Sequence, residues 1–361
     1  MKKLIALSLA IVLMLTAVAC GGGSSSGSGD NSGNGEQTYV IKLGHDLLET
    51  TPQHLGAMRF KELVEEKTGG RVEVQVFPAG QLGTDIETAE MLQTNTVQAA
   101  LIPTAKLSGF HPPLQVMDLP FIFTDREVMY AVFDDPEFKE LVFGPMADIG
   151  LKGISVWESG FKQVTGNKEL LAPEDFKGLK FRVMESPLLI AQYEALGASP
   201  VPVDFAETYN ALQQHVVDGQ ENPLVSIVSM RFYEVQTNMT LSNHGYLGYA
   251  FLFSNAFWET LPADLQATIQ ECADEAAAYE RQVTIDNEAG YIETIEQSGT
   301  KVSTLTDEQV AAFVEVMHPV HERFRDVITS EVLDGTYALI EKHAAALAGT
   351  SAEGPESETA A

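Results

Sequence analysis

Pro173-Glu-Asp-Phe-Lys-Gly-Leu-Lys-Phe-Arg182-Val-Met-Glu-Ser-Pro187, followed by Asp218-Gly-Gln-Glu-Asn222-Pro223, is the part of the chain from which its architecture can be read. Lys180 to Val183 reads as a short strand after a turn-rich run from Lys168 to Gly178. Helices are expected at Pro187 to Leu196 and at Phe205 to Gln214, with Asp204 or Phe205 near the first one's cap. A strand, a helical crossover and another extended segment bring the Arg182 guanidinium and the Asn222 carboxamide within reach of one small anion. Arginine suits that task because its planar fork matches a carboxylate and stays charged at any working pH. Arg182 could instead pair with Glu185 or Glu194, and Asn222 could cap a turn. Pro223 favours an extended backbone at Asn222.

Working outward, the same alternation continues. Tyr39 to Leu43 is an alternating strand, His54 to Lys67 an amphipathic helix ending at Gly69-Gly70, and Arg71 to Phe77 a second strand. Ile86 to Gln93 reads as a helix, Ala99 to Pro103 as a buried strand and Gly153 to Trp157 as a later one. Strands joined by helical crossovers imply largely parallel sheets covered on both faces. Pro262 to about Glu296 lacks proline after its start and has one glycine. As a helix it would be about 50 Å long, more than one small lobe can cover.

Six segments in register resemble the periplasmic solute receptors of the tripartite ATP-independent periplasmic (TRAP) transporters, the DctP family. They are Phe77-Pro-Ala-Gly-Gln-Leu-Gly83, Met117-Asp-Leu-Pro-Phe-Ile-Phe123, the Arg182 stretch continuing through Ala195-Leu-Gly-Ala-Ser-Pro-Val-Pro-Val203, Glu207-Thr-Tyr-Asn-Ala-Leu-Gln-Gln214, Phe232-Tyr-Glu-Val-Gln236 and Ser242-Asn-His244. The resemblance runs from about Tyr39 to about Gly299. It implies an α/β, two-lobe periplasmic-binding-protein fold of mixed, largely parallel sheets, with a central cleft and a long helix spanning both lobes. It implies a receptor that delivers a small organic acid anion to separate TRAP permease subunits driven by an ion gradient, with no cofactor. A sensory receptor of the same fold, feeding a membrane kinase, would have the same sequence features.

The resemblance also assigns the site. Arg182 matches the arginine that pairs with the solute carboxylate, and Asn222 the asparagine that donates to it. Lys162, in Glu158-Ser-Gly-Phe-Lys-Gln163, stands where sugar-acid receptors carry a second arginine. Gly160-Phe-Lys-Gln163 looks more like the dicarboxylate-type members. A second cation suits a four-carbon dicarboxylate; if Lys162 points to solvent, a keto-acid or sugar-acid monocarboxylate fits better. Phe205 and Tyr209 match an aromatic wall, although four residues apart on a helix they could equally be core. Gln81, His45 and Asp46 fall at strand ends of the first lobe, where open α/β sheets bind ligands, and are expected at the pocket rim. The lobes are expected to swing about strands near Glu158 and Gly248.

The chain ends bear on location. Met1-Lys-Lys3 and the apolar run Leu4 to Val18 read as a signal peptide, residues 1–19. Ala17-Val-Ala-Cys20 resembles a lipobox, so Cys20 is expected to carry a lipid and residues 20–36 a flexible Gly/Ser/Asn tether. Ala17 stands where leucine is usual, so ordinary cleavage to a soluble periplasmic protein is the alternative. The first lobe is expected from 37–159 plus 248–285, the second from 160–247 plus 286–343, and residues 344–361 read as a disordered tail. Cys20 and Cys272 are the two cysteines. Lipidation of the first leaves no disulfide within a chain that is expected to be monomeric.

A formal charge of −29 excludes a nucleic-acid partner and leaves the lipid anchor as the expected membrane contact. An enzyme is not expected. Ser186 and Ser226 lack a nucleophile-elbow context, Pro319 separates His318 from His321 without an acidic third metal ligand, and no phosphate loop occurs.

Overall fold

The computed structural model describes residues 37–352. The signal peptide, Cys20, the tether and the end of the expected tail lie outside that range.

Ten strands form: β1 Tyr39–Gly44, β2 Val72–Phe77, β3 Ala99–Pro103, β4 Leu151–Gly166, β5 Lys180–Val183, β6 Ser199–Pro202, β7 Gly219–Pro223, β8 Asn238–Leu241, β9 Tyr246–Ser254 and β10 Lys301–Thr304. Their order is β2-β1-β3-β9-β4-β7-β5-β6, with β8 joining β4 to β10. The crossover strands pair in parallel: β1 with β2 and β3, β5 with β6 and β7, β8 with β10. Every antiparallel pairing involves β4 or β9.

β4 belongs to both lobes. Leu151 to Phe161 pair with β9, and Lys162 to Gly166 with β7. Near the end of the β9-paired half the register shifts between Glu158 and Gly160. Gly160 takes φ +121°, which a side chain rarely adopts, so glycine permits the bulge. The hinge expected near Glu158 and Gly248 therefore falls on a paired, bulged position.

The long helix runs Ala263–Gln297. It packs on the helix Pro52–Lys67 and β4, then on the helix Leu224–Ser229 and β10, and so spans both lobes. Glu280, fully buried within it, accepts from the Glu158 backbone N–H at 3.0 Å and tethers helix to bulge. Cys272 is a buried free thiol, pushed up to about 11 by burial.

Two expectations need correction. Phe205 to Gln214 is a short 3₁₀ turn, Phe205–Glu207, followed by a helix at Thr208–Gln213. The disordered tail begins later than residue 344, because the helix Ser330–Ala352 continues through Ala344-Ala-Ala-Leu347, where alanine favours helix and Leu347 packs on the core. That helix also packs on the helices Arg126–Asp134 and Pro136–Phe143. Lys342 and His343 meet Asp135 at 2.7 and 2.9 Å.

Candidate functional site

A chamber between the lobes is lined by Asp46, Asp85, Lys106, Arg182, Phe205, Asn222 and Tyr249, with Pro103, Met184 and Leu247. Its walls come from the C-terminal ends of β1, β3, β5 and β7, where open α/β sheets place ligands.

Side-chain alternation sets what β5 and β7 present. Phe181 turns into the core and stacks on Tyr193 at 4.4 Å, leaving Arg182 on the chamber side. Gly219 lets β7 approach closely: a Cβ there would lie 2.5 Å from the Thr165 carbonyl oxygen and 2.7 Å from Phe181. Arg182 then sits opposite Gln220, with Asn222 two residues farther on the same face.

Arg182 is 1% exposed, yet among the described residues no carboxylate pairs with it. Its Nε donates to the Val203 carbonyl at 2.9 Å, while Nη2 is buried without a partner. Neither Glu185 nor Glu194 takes that role; Glu194 pairs with Arg323 at 3.5 Å. Burial pulls the guanidinium down to about 10, so it remains charged at neutral pH. The Asn222 amide donates to Gln220 Oε1 at 2.5 Å.

Lys162 lies elsewhere. It sits across from Pro223 on β7, and thus on the face of Glu221, away from Asn222. Its Nζ lies 3.0 Å from Glu221 Oε1 and 3.8 Å from Asp118 Oδ1. Glu221 also meets His244 at 2.7 Å and accepts from the Tyr193 hydroxyl at 2.9 Å. Against the cost of burial, Lys162 and His244 hold the Glu221 carboxyl far below the usual range. Lys162 is neither solvent-facing nor a chamber residue.

The cation the chamber does contain besides Arg182 is Lys106, which the sequence reading missed. It follows the buried strand β3, in the 3₁₀ turn Thr104–Leu107. It is 5% exposed, and its Nζ reaches Asp204 Oδ1 of the other lobe at 2.9 Å. A lysine just past a strand's C-terminal end was the available signal.

Asp46 is in the chamber, not merely at its rim. It accepts from the Tyr249 hydroxyl at 3.2 Å, and burial raises its carboxyl to about 6. Asp85, also missed, is raised further, by burial and then by Asp46 beside it. His45 backs the same corner from a smaller adjoining cavity. Its Nδ1 accepts from the Leu47 N–H, and burial, then His54, lowers it to about 3, so the ring is neutral. Phe205 walls the chamber as expected. Tyr209 does not line it: its ring packs on the core around Leu212 and Phe232, as the core alternative has it, and its hydroxyl donates to Glu234 at 3.1 Å. Gln81 is exposed and outside the lining.

The chamber's free volume is about 10 Å³, room for one water. It opens beside a vestibule of about 310 Å³ lined by Asp46, Asp85, Glu87, Asp204 and Phe205. Among the described residues no group of histidine, cysteine and acidic side chains is arranged to hold a metal ion, and no helix is long and apolar enough to cross a membrane.

Residues 43–326 match the family model DctP, bacterial extracellular solute-binding protein, family 7. The C4-dicarboxylate-binding periplasmic protein DctP of Shewanella loihica is 38% identical over 303 residues, 82% of this chain and 89% of that protein. Among solved structures, a TRAP periplasmic solute-binding protein of Sulfurospirillum deleyianum with bound succinate is 38% identical, with a TM-score of 0.77, covering 84% of this chain and 99% of that one. A sugar-acid-binding protein of Advenella mimigardefordensis in complex with galactonate is 30% identical, with a TM-score of 0.81, covering 85% and 99%.

Proposed function

Because the chain belongs to the DctP family of bacterial extracellular solute-binding proteins, we propose that it captures a small organic acid anion between its lobes and delivers it to TRAP permease subunits. One observation carries the site assignment: Arg182 presents a buried, unpartnered Nη2 to the interlobe chamber. An unpaired charged donor is costly in a dry cleft, and a solute carboxylate satisfies it. Asn222 stands beside it as a second donor. Likeness to the Shewanella and Sulfurospirillum proteins supports a four-carbon dicarboxylate as the first candidate. Lys106, rather than Lys162, is then the cation available to the solute's other half.

In the mechanism that follows, the lobes part about the β4 bulge, because a chamber of about 10 Å³ cannot admit the solute while closed. The carboxylate docks on Arg182 in the second lobe. Closure brings Lys106, Asp46 and Tyr249 over it, and the Lys106–Asp204 pair bridges the lobes. Cys20 tethers the receptor to the membrane outside the cytoplasm, and the solute leaves chemically unchanged.

A thermal-shift screen against succinate, malate, fumarate, keto acids and sugar acids tests this. A solute at a hundred times its Kd stabilises by about 2.7 kcal/mol. Stabilisation by a carboxylate, lost in Arg182→Met, is expected. No response to any acid would overturn the receptor assignment. Mass spectrometry of the incubated solute should recover it intact.

A further inference from the structure

The chamber holds two complementary unmet needs. Arg182 Nη2, from the second lobe, is a buried donor without an acceptor. Asp85, from the first lobe, has a half-buried carboxyl group to which no side chain donates among the described residues. Asp46 beside it receives one hydroxyl, from Tyr249. All three line the same space. A solute that only accepts hydrogen bonds satisfies Arg182 and offers no donor to Asp46 and Asp85.

We propose that Asp46 and Asp85 are specificity-determining acceptors for a solute hydroxyl, so that this receptor selects hydroxylated carboxylates over their unsubstituted counterparts. The inference rests on the reading that Arg182 holds a solute carboxylate. The charges around the pair favour a neutral donor. Lys106 is already shared with Asp204 at 2.9 Å, so a bare second carboxylate would add negative charge beside Asp46 and Asp85, in a corner where burial already disfavours their anionic forms. An ammonium would be drawn to the aspartates but would stand among Lys106 and Arg182 in a small chamber. A hydroxyl donates to a carboxylate without adding charge of either sign. A dicarboxylate remains compatible when its backbone carries that hydroxyl, as malate does.

Sites built to bond a substrate hydroxyl discriminate strongly against the analogue without it, because their buried polar groups are left unpaired. Calorimetry on the full chain with L-malate and D-malate against succinate, and with erythronate against butyrate, tests the inference. At least one hydroxylated acid is expected to bind about tenfold or more tightly than its deoxy counterpart. That ratio should fall to about threefold or less in Asp85→Ala and in Asp46→Asn, with thermal melts checking that both variants fold. Equal affinity within each pair overturns the inference while leaving the receptor assignment intact. Tighter binding of aspartate than of malate also overturns it, in favour of an ammonium. Failure of every acid to bind the wild-type chain sinks the receptor assignment itself, and this inference with it.

Discussion

Arg182 and Lys162 show how two buried cations on neighbouring strands acquire different roles. Arg182 lacks a charged partner, so replacing it should affect ligand more than fold. Arg182→Met is expected to weaken the cognate acid by about tenfold to a hundredfold, the value of a hydrogen bond to a charged group, with thermal stability of the free protein nearly unchanged. Titration calorimetry and a thermal melt on one preparation read both. Lys162 is the converse, since Glu221 and Asp118 depend on it. Lys162→Met leaves a buried carboxylate uncompensated and should destabilise by about 3–5 kcal/mol in urea denaturation. Lost affinity with unchanged stability would restore Lys162 as a solute anchor. Sequence made Arg182 and Asn222 legible because both end a strand within a recognisable stretch. It misled at Lys162, because a one-residue difference along a strand selects the opposite face, and a lysine does not declare which face its neighbour's glutamate occupies. Lys106 escaped because a lysine in a loop ordinarily reads as solvated.

Among elements, those with simple periodicity were read to the residue or nearly so: β3, β5 and the helix Pro52–Lys67, whose Thr51 cap and Pro52 start are visible signals. β4 was read as Gly153 to Trp157, because Glu158, Gly160 and Lys162 break its pattern. Those residues are the bulge and the buried ion pair. The long helix was legible from length and composition, but its tie to that bulge was not. Glu280 accepts from the Glu158 N–H at 3.0 Å and from the Thr284 hydroxyl at 2.8 Å, and burial lifts its carboxyl to about 8. The folded state therefore holds this proton far more tightly than the unfolded chain, where a glutamate titrates near 4.3. Its stabilising contribution is full below that value, declines as pH rises and is gone above about 8. Glu280→Gln keeps a neutral side chain of similar shape. The variant should match wild type near pH 4 and exceed it at pH 8 by on the order of 2–5 kcal/mol in chemical denaturation. Parallel stability curves across that range would show that Glu280 is ionised in the fold.

At the scale of the whole molecule, a formal charge of −29 sets the chain against the anionic solute proposed for it, which it would repel at a distance. The entrance is acidic too: Glu87 and Asp204 line the vestibule beside Asp46 and Asp85, whose carboxyls burial raises, and its lining includes no lysine or arginine. Past them, Arg182 and Lys106 act at contact distance in a chamber that excludes bulk water. Capture and retention thus depend on different fields. Long-range repulsion falls with salt, since the screening length shrinks from about 30 Å at 0.01 M to about 10 Å at 0.1 M. The contact with Arg182, buried under a closed lobe, is screened much less. Solute association should therefore accelerate with ionic strength, the reverse of an electrostatically steered complex. Trp157 adjoins the β4 bulge and is one of two tryptophans, so lobe closure can be followed by stopped-flow fluorescence. Between 0.01 and 0.3 M sodium chloride, the association rate of a dicarboxylate is expected to rise by about three- to tenfold, with dissociation changing by less than about twofold. A rate that falls with salt would mean that Lys106 and Arg182 project their charge through the vestibule despite its acidic lining, and that the two fields are not separated.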